Sequence, residues 1–137
     1  MAMANKLVLV FAVVCAVGSK PAIAGAKFYT EVYIDLSARL AYGDLGYVRS
    51  TPDNSQEIGC YTYAYTLFGP GGWCWARSPG GTYVTCTISF SQIEGWWFWE
   101  IATMIRGDSY LQFTWDTAGY CKGITVDQAS YLQPKIP

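Results

Sequence analysis

The acidic residues are the candidates for catalysis, because the chain contains no histidine. Without histidine neither a Ser-His nor a Cys-His couple can form, and the side chain that titrates near neutral pH is missing. Two carboxylates can still act as acid and base, as in glycoside hydrolysis. The candidate pairs are Glu94 with Glu100 and Asp108 with Asp116. In the structural alternative, which we favour, Glu94 caps a helix, Glu100 is solvated and the aspartates form turns. We therefore predict no catalytic residue, and keep a small carboxylate-dependent hydrolase as an alternative.

A signal peptide is predicted at residues 1–24. Lys6 precedes an apolar run of signal-peptide length, and Ala22–Ala24 has the A-x-A form of a cleavage site. The run is too short to serve as a membrane anchor. We expect the mature chain to begin at Gly25, to be secreted or periplasmic, and to form a single domain over residues 25–137.

Cleavage also changes the charge of the chain. The mature part retains 7 basic and 10 acidic residues, a net charge near −3, because Lys6 and Lys20 are lost. It has no basic stripe, so nucleic acid is not an expected partner. No later apolar run has the length of a membrane span. No cofactor motif stands out, and we predict none.

Four cysteines remain in the mature chain: Cys60, Cys74, Cys86 and Cys121. An even number in an exported chain predicts two disulfides. A metal site is not expected, because zinc motifs use C-x-x-C pairs or histidines and the chain has neither. Three pairings are possible. Cys74 and Cys86 lie about equally far from the turn at Ser78–Gly81, so we favour a Cys74–Cys86 bond, which leaves Cys60 to pair with Cys121.

Residues 56–90 organise the predicted fold. Three runs alternate with period 2, the spacing that places successive side chains on opposite sheet faces. Turn signals at Gly69–Gly72 and Ser78–Gly81 separate the runs. We predict an antiparallel three-stranded meander. Its first run carries cysteine and small residues on one face, and Tyr61, Tyr63 and Tyr65 on the other.

The rest of the chain predicts further strands and one helix. Strands are expected at residues 28–36, 110–116 and 120–126, the last two as a hairpin. Residues 45–49 are read as another short strand, and a last short segment is placed at residues 130–132 before Pro134. A capping box, Ser91 with Glu94, begins a helix over about residues 92–105. Its predicted apolar face consists of Ile93, Trp97, Ile101, Met104 and Ile105, and we expect Trp97 to pack in the core against the sheet. The expected fold class is mainly β (α+β): an antiparallel meander and hairpins with one short helix, stapled by disulfides.

Several short segments resemble a known group in their order along the chain. They are Tyr42–Gly46, Arg49–Ser50, Ile58–Tyr61, Asp108–Tyr110, Asp116–Cys121 and Ser130–Lys135. The pattern, over about residues 42–135, resembles an uncharacterised group of small exported bacterial β-rich proteins with four cysteines. The resemblance implies a bacterial secreted domain. It implies no activity, cofactor or site residue.

Aromatic residues make up 17% of the chain and are its remaining functional signal. Trp73 and Trp75 are expected to flank the row formed by Tyr61, Tyr63 and Tyr65. Aromatic side chains fill cores, but they also stack on sugars and anchor partner proteins. Both readings stay open for the row. The best functional hypothesis is a secreted, non-enzymatic binding module that uses this sheet face for a glycan or a cell-surface protein. Self-assembly through the aromatics and an open sheet edge is an alternative.

Overall fold

The computed structural model describes residues 29–67, 69–91 and 93–129 of the 137-residue chain. The predicted signal peptide and the segment at residues 130–132 lie outside these ranges. The described part folds into two antiparallel sheets with two helices and two disulfides, which confirms the mainly β fold class.

The two sheets have different topologies. The hairpin sheet has the order β1-β2-β6-β7, and the meander sheet has the order β3-β4-β5. The strands are β1 (Tyr33–Asp35), β2 (Leu40–Asp44), β3 (Glu57–Tyr65), β4 (Gly69–Arg77), β5 (Tyr83–Ile88), β6 (Tyr110–Trp115) and β7 (Cys121–Asp127). The predicted meander and last hairpin are both confirmed. The first strand is shorter than predicted, and the backbone N–H of Val32 just before it donates to Oε1 of Gln56 at 3.0 Å.

The core joins the inner faces of the two sheets. The hairpin sheet contributes Leu111 and Phe113, which are fully buried. The meander sheet contributes the alternate residues that face them: Ile58, Cys74, Ala76, Val84, Cys86 and Ile88. The period-2 alternation therefore leaves the opposite meander face, which carries the tyrosine row, on the outside of the protein.

The segment predicted as a strand at residues 45–49 is instead a helix, α1 (Leu45–Ser50). Asp44 is its N-cap, and the Asp44 Oδ1 accepts from the backbone N–H groups of Gly46 at 2.8 Å and Tyr47 at 3.2 Å. An aspartate that satisfies these otherwise unpaired donors stabilises a helix start. The prediction missed it because the segment is too short for helical periodicity to show.

The second helix, α2 (Gly95–Thr103), lies where it was predicted, but it buries a different face. The capping box does not form: Glu94 makes no side-chain cap bond, and the Ser91 hydroxyl is hydrogen-bonded to the Ser89 hydroxyl at 2.6 Å. Gly95 packs against the backbone of Ser89, where a Cβ atom would collide with the carbonyl oxygen. Because this glycine turns towards the sheet, Trp97 points outwards and is 65% exposed. The assignment of Trp97 to the core was wrong.

Other members of the predicted helix face are divided between core and solvent. Ile101 and Ile105 do pack on the core, whereas Ile93 and Met104 are exposed. The buried residues of α2 are Gly95 and Ala102, and the residues packed beside them include Phe98 and Trp99.

The favoured disulfide pairing was wrong: the bonds are Cys60–Cys74 and Cys86–Cys121. In the sheet register Cys74 lies opposite Cys60 on β3 and also opposite Cys86 on β5. The hairpin argument therefore placed Cys74 and Cys86 correctly as neighbours. Cys74 bonds to its other neighbour, and Cys86 reaches Cys121 at the start of β7. The second bond thus links the meander sheet to the hairpin sheet.

Candidate aromatic binding face

The five predicted binding residues lie together on the outer side of the meander sheet. Tyr61 is directly opposite Trp73 in the register of β3 and β4, so alternate positions on both strands share this side. Tyr61, Tyr65 and Trp73 are 44%, 56% and 41% exposed, and the other two residues are half-buried. The surface formed by Tyr61, Tyr63, Tyr65, Trp73 and Trp75 is called the aromatic face below. It faces solvent and is not part of the core.

Four rings of the aromatic face, those of Tyr61, Tyr63, Tyr65 and Trp73, contact one another in a continuous row. The centroids of Tyr61 and Tyr63 are 6.0 Å apart, and those of Tyr63 and Tyr65 are 5.2 Å apart. Across the strands, the centroids of Tyr61 and Trp73 are 4.5 Å apart. All three separations fall within the range of about 4.5–7 Å that favourable aromatic pairs adopt. Mutual packing therefore holds the exposed rings in place before any ligand arrives.

Two glycines give the aromatic face its low relief. A Cβ atom on Gly59 would lie 3.0 Å from Cζ2 of Trp75, and one on Gly71 would lie 2.5 Å from both Cζ and Oη of Tyr63. Each ring therefore lies across the backbone of the neighbouring strand, where only glycine leaves room. The rings form a shallow platform and do not project separately into solvent.

Hydrogen bonding also links the tyrosine hydroxyls. A hydrogen bond between the Tyr61 and Tyr65 side chains raises the pKa of Tyr61, and repulsion from the charged form of Tyr65 acts in the same direction. A bond that raises the pKa in this way uses the Tyr61 hydroxyl as the donor and Tyr65 as the acceptor, which ties the two ends of the tyrosine row together.

A charged pair closes one end of the aromatic face. Nε of Arg77 donates to Oε1 of Glu57 at 2.9 Å, with both side chains nearly half exposed. The guanidinium carbon of Arg77 also lies 5.1 Å from the centroid of the Tyr83 ring, a cation–π distance. A shallow cleft of about 320 Å³ is found at this end. Its lining consists of Glu57, Tyr61, Trp73, Trp75, Arg77 and Tyr83.

The candidate catalytic carboxylates occupy separate local settings. Asp116 accepts from the backbone N–H groups of Ala118 and Tyr120, both at 2.9 Å, in the turn between β6 and β7. Glu94 precedes α2, and Glu100 is exposed on that helix. Within residues 29–67, 69–91 and 93–129, no hydrogen bond joins Glu94 to Glu100 or Asp108 to Asp116. The turn-forming reading of Asp116 therefore fits its geometry.

Three sulfur atoms form the one cluster of metal-ligand atoms found in the described part of the chain. The sulfurs of Cys74, Cys86 and Cys121 all lie within 4.8 Å of one another. Each belongs to a disulfide, so none is the thiolate that binds a metal. The cluster instead shows that the two disulfides lie side by side in the core.

Sequence reasoning missed three residues of this site and a second aromatic row. Glu57, Arg77 and Tyr83 were not assigned to the aromatic face, although their places at the strand ends follow from the same period-2 pattern. On the hairpin sheet, Tyr42 stacks with Tyr33 at 5.1 Å and lies 6.1 Å from Tyr110. That row was missed because Tyr110 comes from a distant segment, and only the strand order places it beside the hairpin that carries Tyr33 and Tyr42.

Comparison with protein-family models, with curated proteins and with solved structures finds no match for this chain. In the described residues, no helix has both the length and the apolar character needed to cross a membrane. The function must therefore be inferred from the geometry of the aromatic face itself.

Proposed function

We propose that this chain is an exported, non-enzymatic protein that binds a glycan through the aromatic face. The observation that carries the proposal is the row of pre-packed, solvent-exposed rings on one sheet surface. A contiguous patch of exposed apolar rings commonly marks a binding surface. Because the rings already contact one another, little side-chain freedom is lost when a ligand is bound.

A glycan fits this surface better than a protein partner does. Protein interfaces concentrate their binding energy in anchors that fill fitting pockets. Here the rings of Tyr63 and Trp75 lie across the strands and leave a platform with low relief. The apolar face of a pyranose ring can stack on such a platform, while its hydroxyl groups reach the polar groups at the rim.

Export is supported by the covalent framework. Two disulfides in a small β-rich domain are typical of an oxidising compartment outside the cytoplasm. The predicted signal peptide points the same way. The bacterial origin implied by the resemblance remains part of this proposal.

The test is a glycan array, followed by titration calorimetry on the glycans that bind. Tyr63→Ala and Trp73→Ala should each weaken binding by up to about tenfold, since a favourable aromatic contact contributes about 0.5–1.5 kcal/mol. Tyr33→Ala, in the second aromatic row, is the matched control and should bind like wild type. An array without any hit, or equal affinity in all four proteins, would refute the proposal. Capture of a protein through the same residues would also refute the choice of glycan.

Self-association is a second candidate, and one observation favours it. Ile93, Trp96 and Trp97, at and before the start of α2, are 85%, 57% and 65% exposed. Large exposed apolar side chains commonly mark contact surfaces. Sedimentation velocity over a hundredfold range of concentration should then show a dimer that Trp97→Ser dissociates. A monomer at every concentration would rule this candidate out.

A further inference from the structure

The aromatic face leads directly into the cleft at the Glu57–Arg77 pair. Tyr61, Trp73 and Trp75 belong both to the ring platform and to the lining of the cleft. Glu57 and Arg77 are register partners at the end of β3 and β4, so the pair closes the platform on the same side of the sheet. A ligand lying on the rings therefore meets this pair next.

The pair keeps hydrogen-bonding groups available to a ligand. Its ion pair uses one contact, from Nε of Arg77 to Oε1 of Glu57. Among the described residues, no protein group is hydrogen-bonded to the Nη atoms of Arg77 or to Oε2 of Glu57. A carboxylate oxygen is an acceptor and the Nη groups are donors. The cleft thus presents an acceptor and donors next to each other.

Arg77 is also held in a fixed orientation. Glu57 holds it on one side by the ion pair, and the Tyr83 ring lies against its guanidinium carbon. An ion pair at this level of exposure contributes little to stability. A side chain that is oriented in advance loses less freedom on binding a ligand, so the arrangement favours recognition.

The charges of the cleft select against an anionic ligand. Glu57 compensates the charge of Arg77, and a ligand carboxylate placed near the guanidinium would also lie near the Glu57 carboxylate. Like charges at such distances repel. A neutral ligand with adjacent hydroxyl groups meets no such penalty, because one hydroxyl can donate to Glu57 while its neighbour accepts from Arg77.

We infer that this cleft is the specificity-determining subsite of the glycan site, and that it binds a neutral pyranose bearing two adjacent free hydroxyl groups. The sugar ring lies against the tryptophans of β4, and the Glu57–Arg77 pair binds its hydroxyls. This inference rests on the proposed function, since the remaining sugar units lie on the aromatic face.

Calorimetric titration with defined hexasaccharides tests the inference. The neutral probes are cellohexaose and mannohexaose, and the anionic probe is a hexamer of galacturonate. At least one neutral probe should bind, and the galacturonate hexamer should bind about tenfold more weakly or not at all. Tighter binding of the galacturonate hexamer than of both neutral probes would overturn the inference.

Conservative variants separate this inference from the proposed function. Glu57→Gln and Arg77→Lys should each weaken binding of the neutral probe by about tenfold or more. The glutamine replaces a charged acceptor with a neutral one, and the lysine lacks the planar Nη donors of the guanidinium group. Arg106→Lys, on an exposed arginine outside the meander sheet, is the matched control and should change nothing. If Glu57→Gln and Arg77→Lys bind like wild type while Tyr63→Ala loses binding, the subsite is wrong and the proposed function stands. If Tyr63→Ala also binds like wild type, the proposed function fails.

Discussion

Removal of the Cys86–Cys121 bond should destabilise the protein more than removal of the Cys60–Cys74 bond. The two bonds span 35 and 14 residues of sequence. In the chain-entropy account, a closed loop of about 15 residues contributes about 3 kcal/mol, and one of about 36 residues contributes about 3.8 kcal/mol. Loop length alone therefore predicts a difference of about 0.8 kcal/mol in the free energy of unfolding.

The position of each bond in the fold adds to this difference. Cys60–Cys74 joins two strands that the register already holds together, whereas Cys86–Cys121 links the two sheets. Cys86 and Cys121 are both buried, so their replacement by alanine also leaves a larger buried cavity. The order of the two variants is therefore expected to be robust.

The assay compares Cys60→Ala/Cys74→Ala with Cys86→Ala/Cys121→Ala by urea denaturation and thermal melting. For a domain of this size, 1 kcal/mol corresponds to about 4–8 °C in Tm, so the second variant should melt at least about 3 °C lower. Reduced wild-type protein, which lacks both bonds, is the control and should be less stable than either variant. A lower free energy of unfolding for the Cys60→Ala/Cys74→Ala variant would refute the reasoning.

Three further predictions concern the disulfides, a glycine contact and pH. Cys60→Ser frees the thiol of Cys74 within 4.8 Å of both sulfurs of the second disulfide, so exchange should give new Cys74 linkages; peptide mapping that finds only the original second bond would contradict this. Gly95→Ala should destabilise the domain by about 2–4 kcal/mol, because the new Cβ would collide with the backbone of Ser89. Gly80→Ala is the control and should change stability by less than about 1 kcal/mol, because its new Cβ makes only an ordinary contact. Equal urea midpoints for the two variants would contradict the prediction. The side-chain hydrogen bond from a nearby serine, followed by a backbone N–H, lowers the pKa of Asp35 in the folded protein. Its contribution to stability is therefore present above the ordinary carboxyl pKa and is lost as pH falls through the folded value. Urea midpoints measured from pH 6 to pH 2 should fall less steeply for Asp35→Asn than for wild type, and parallel curves would contradict the assignment.

Local patterns were sufficient to predict the strands and their two faces. Period-2 alternation places Tyr61, Tyr63 and Tyr65 on one side of β3 whatever packs against the sheet. Turn residues between the runs make the meander antiparallel, and this was confirmed. The five proposed binding residues could therefore be grouped from sequence, because neighbouring strands in a meander bring alternate residues together.

Local sequence patterns did not predict two features of the helices: which face of α2 is buried, and that residues 45–50 form a helix. For α2, a periodic apolar face predicted that Trp97 is buried, but the close contact of Gly95 with the backbone just after β5 turns a different face inwards. For α1, the residues were read as a short strand, but Asp44 caps a helix that begins at Leu45. Both contacts join residues that are close together in sequence, but neither appears in the spacing of the apolar residues from which the two segments were read.

The cysteines show most directly which features follow from the sequence and which follow only from the tertiary structure. Their number and the predicted export signal were enough to indicate two disulfides, because thiols in an oxidising compartment pair. The partners of Cys74 and Cys86 were decided only in three dimensions, since Cys121 arrives from the other sheet. The same packing decided the aromatic face: alternation separates the tyrosines from the cysteines, but only the hairpin sheet, by covering the cysteine side, leaves the tyrosine side exposed to solvent.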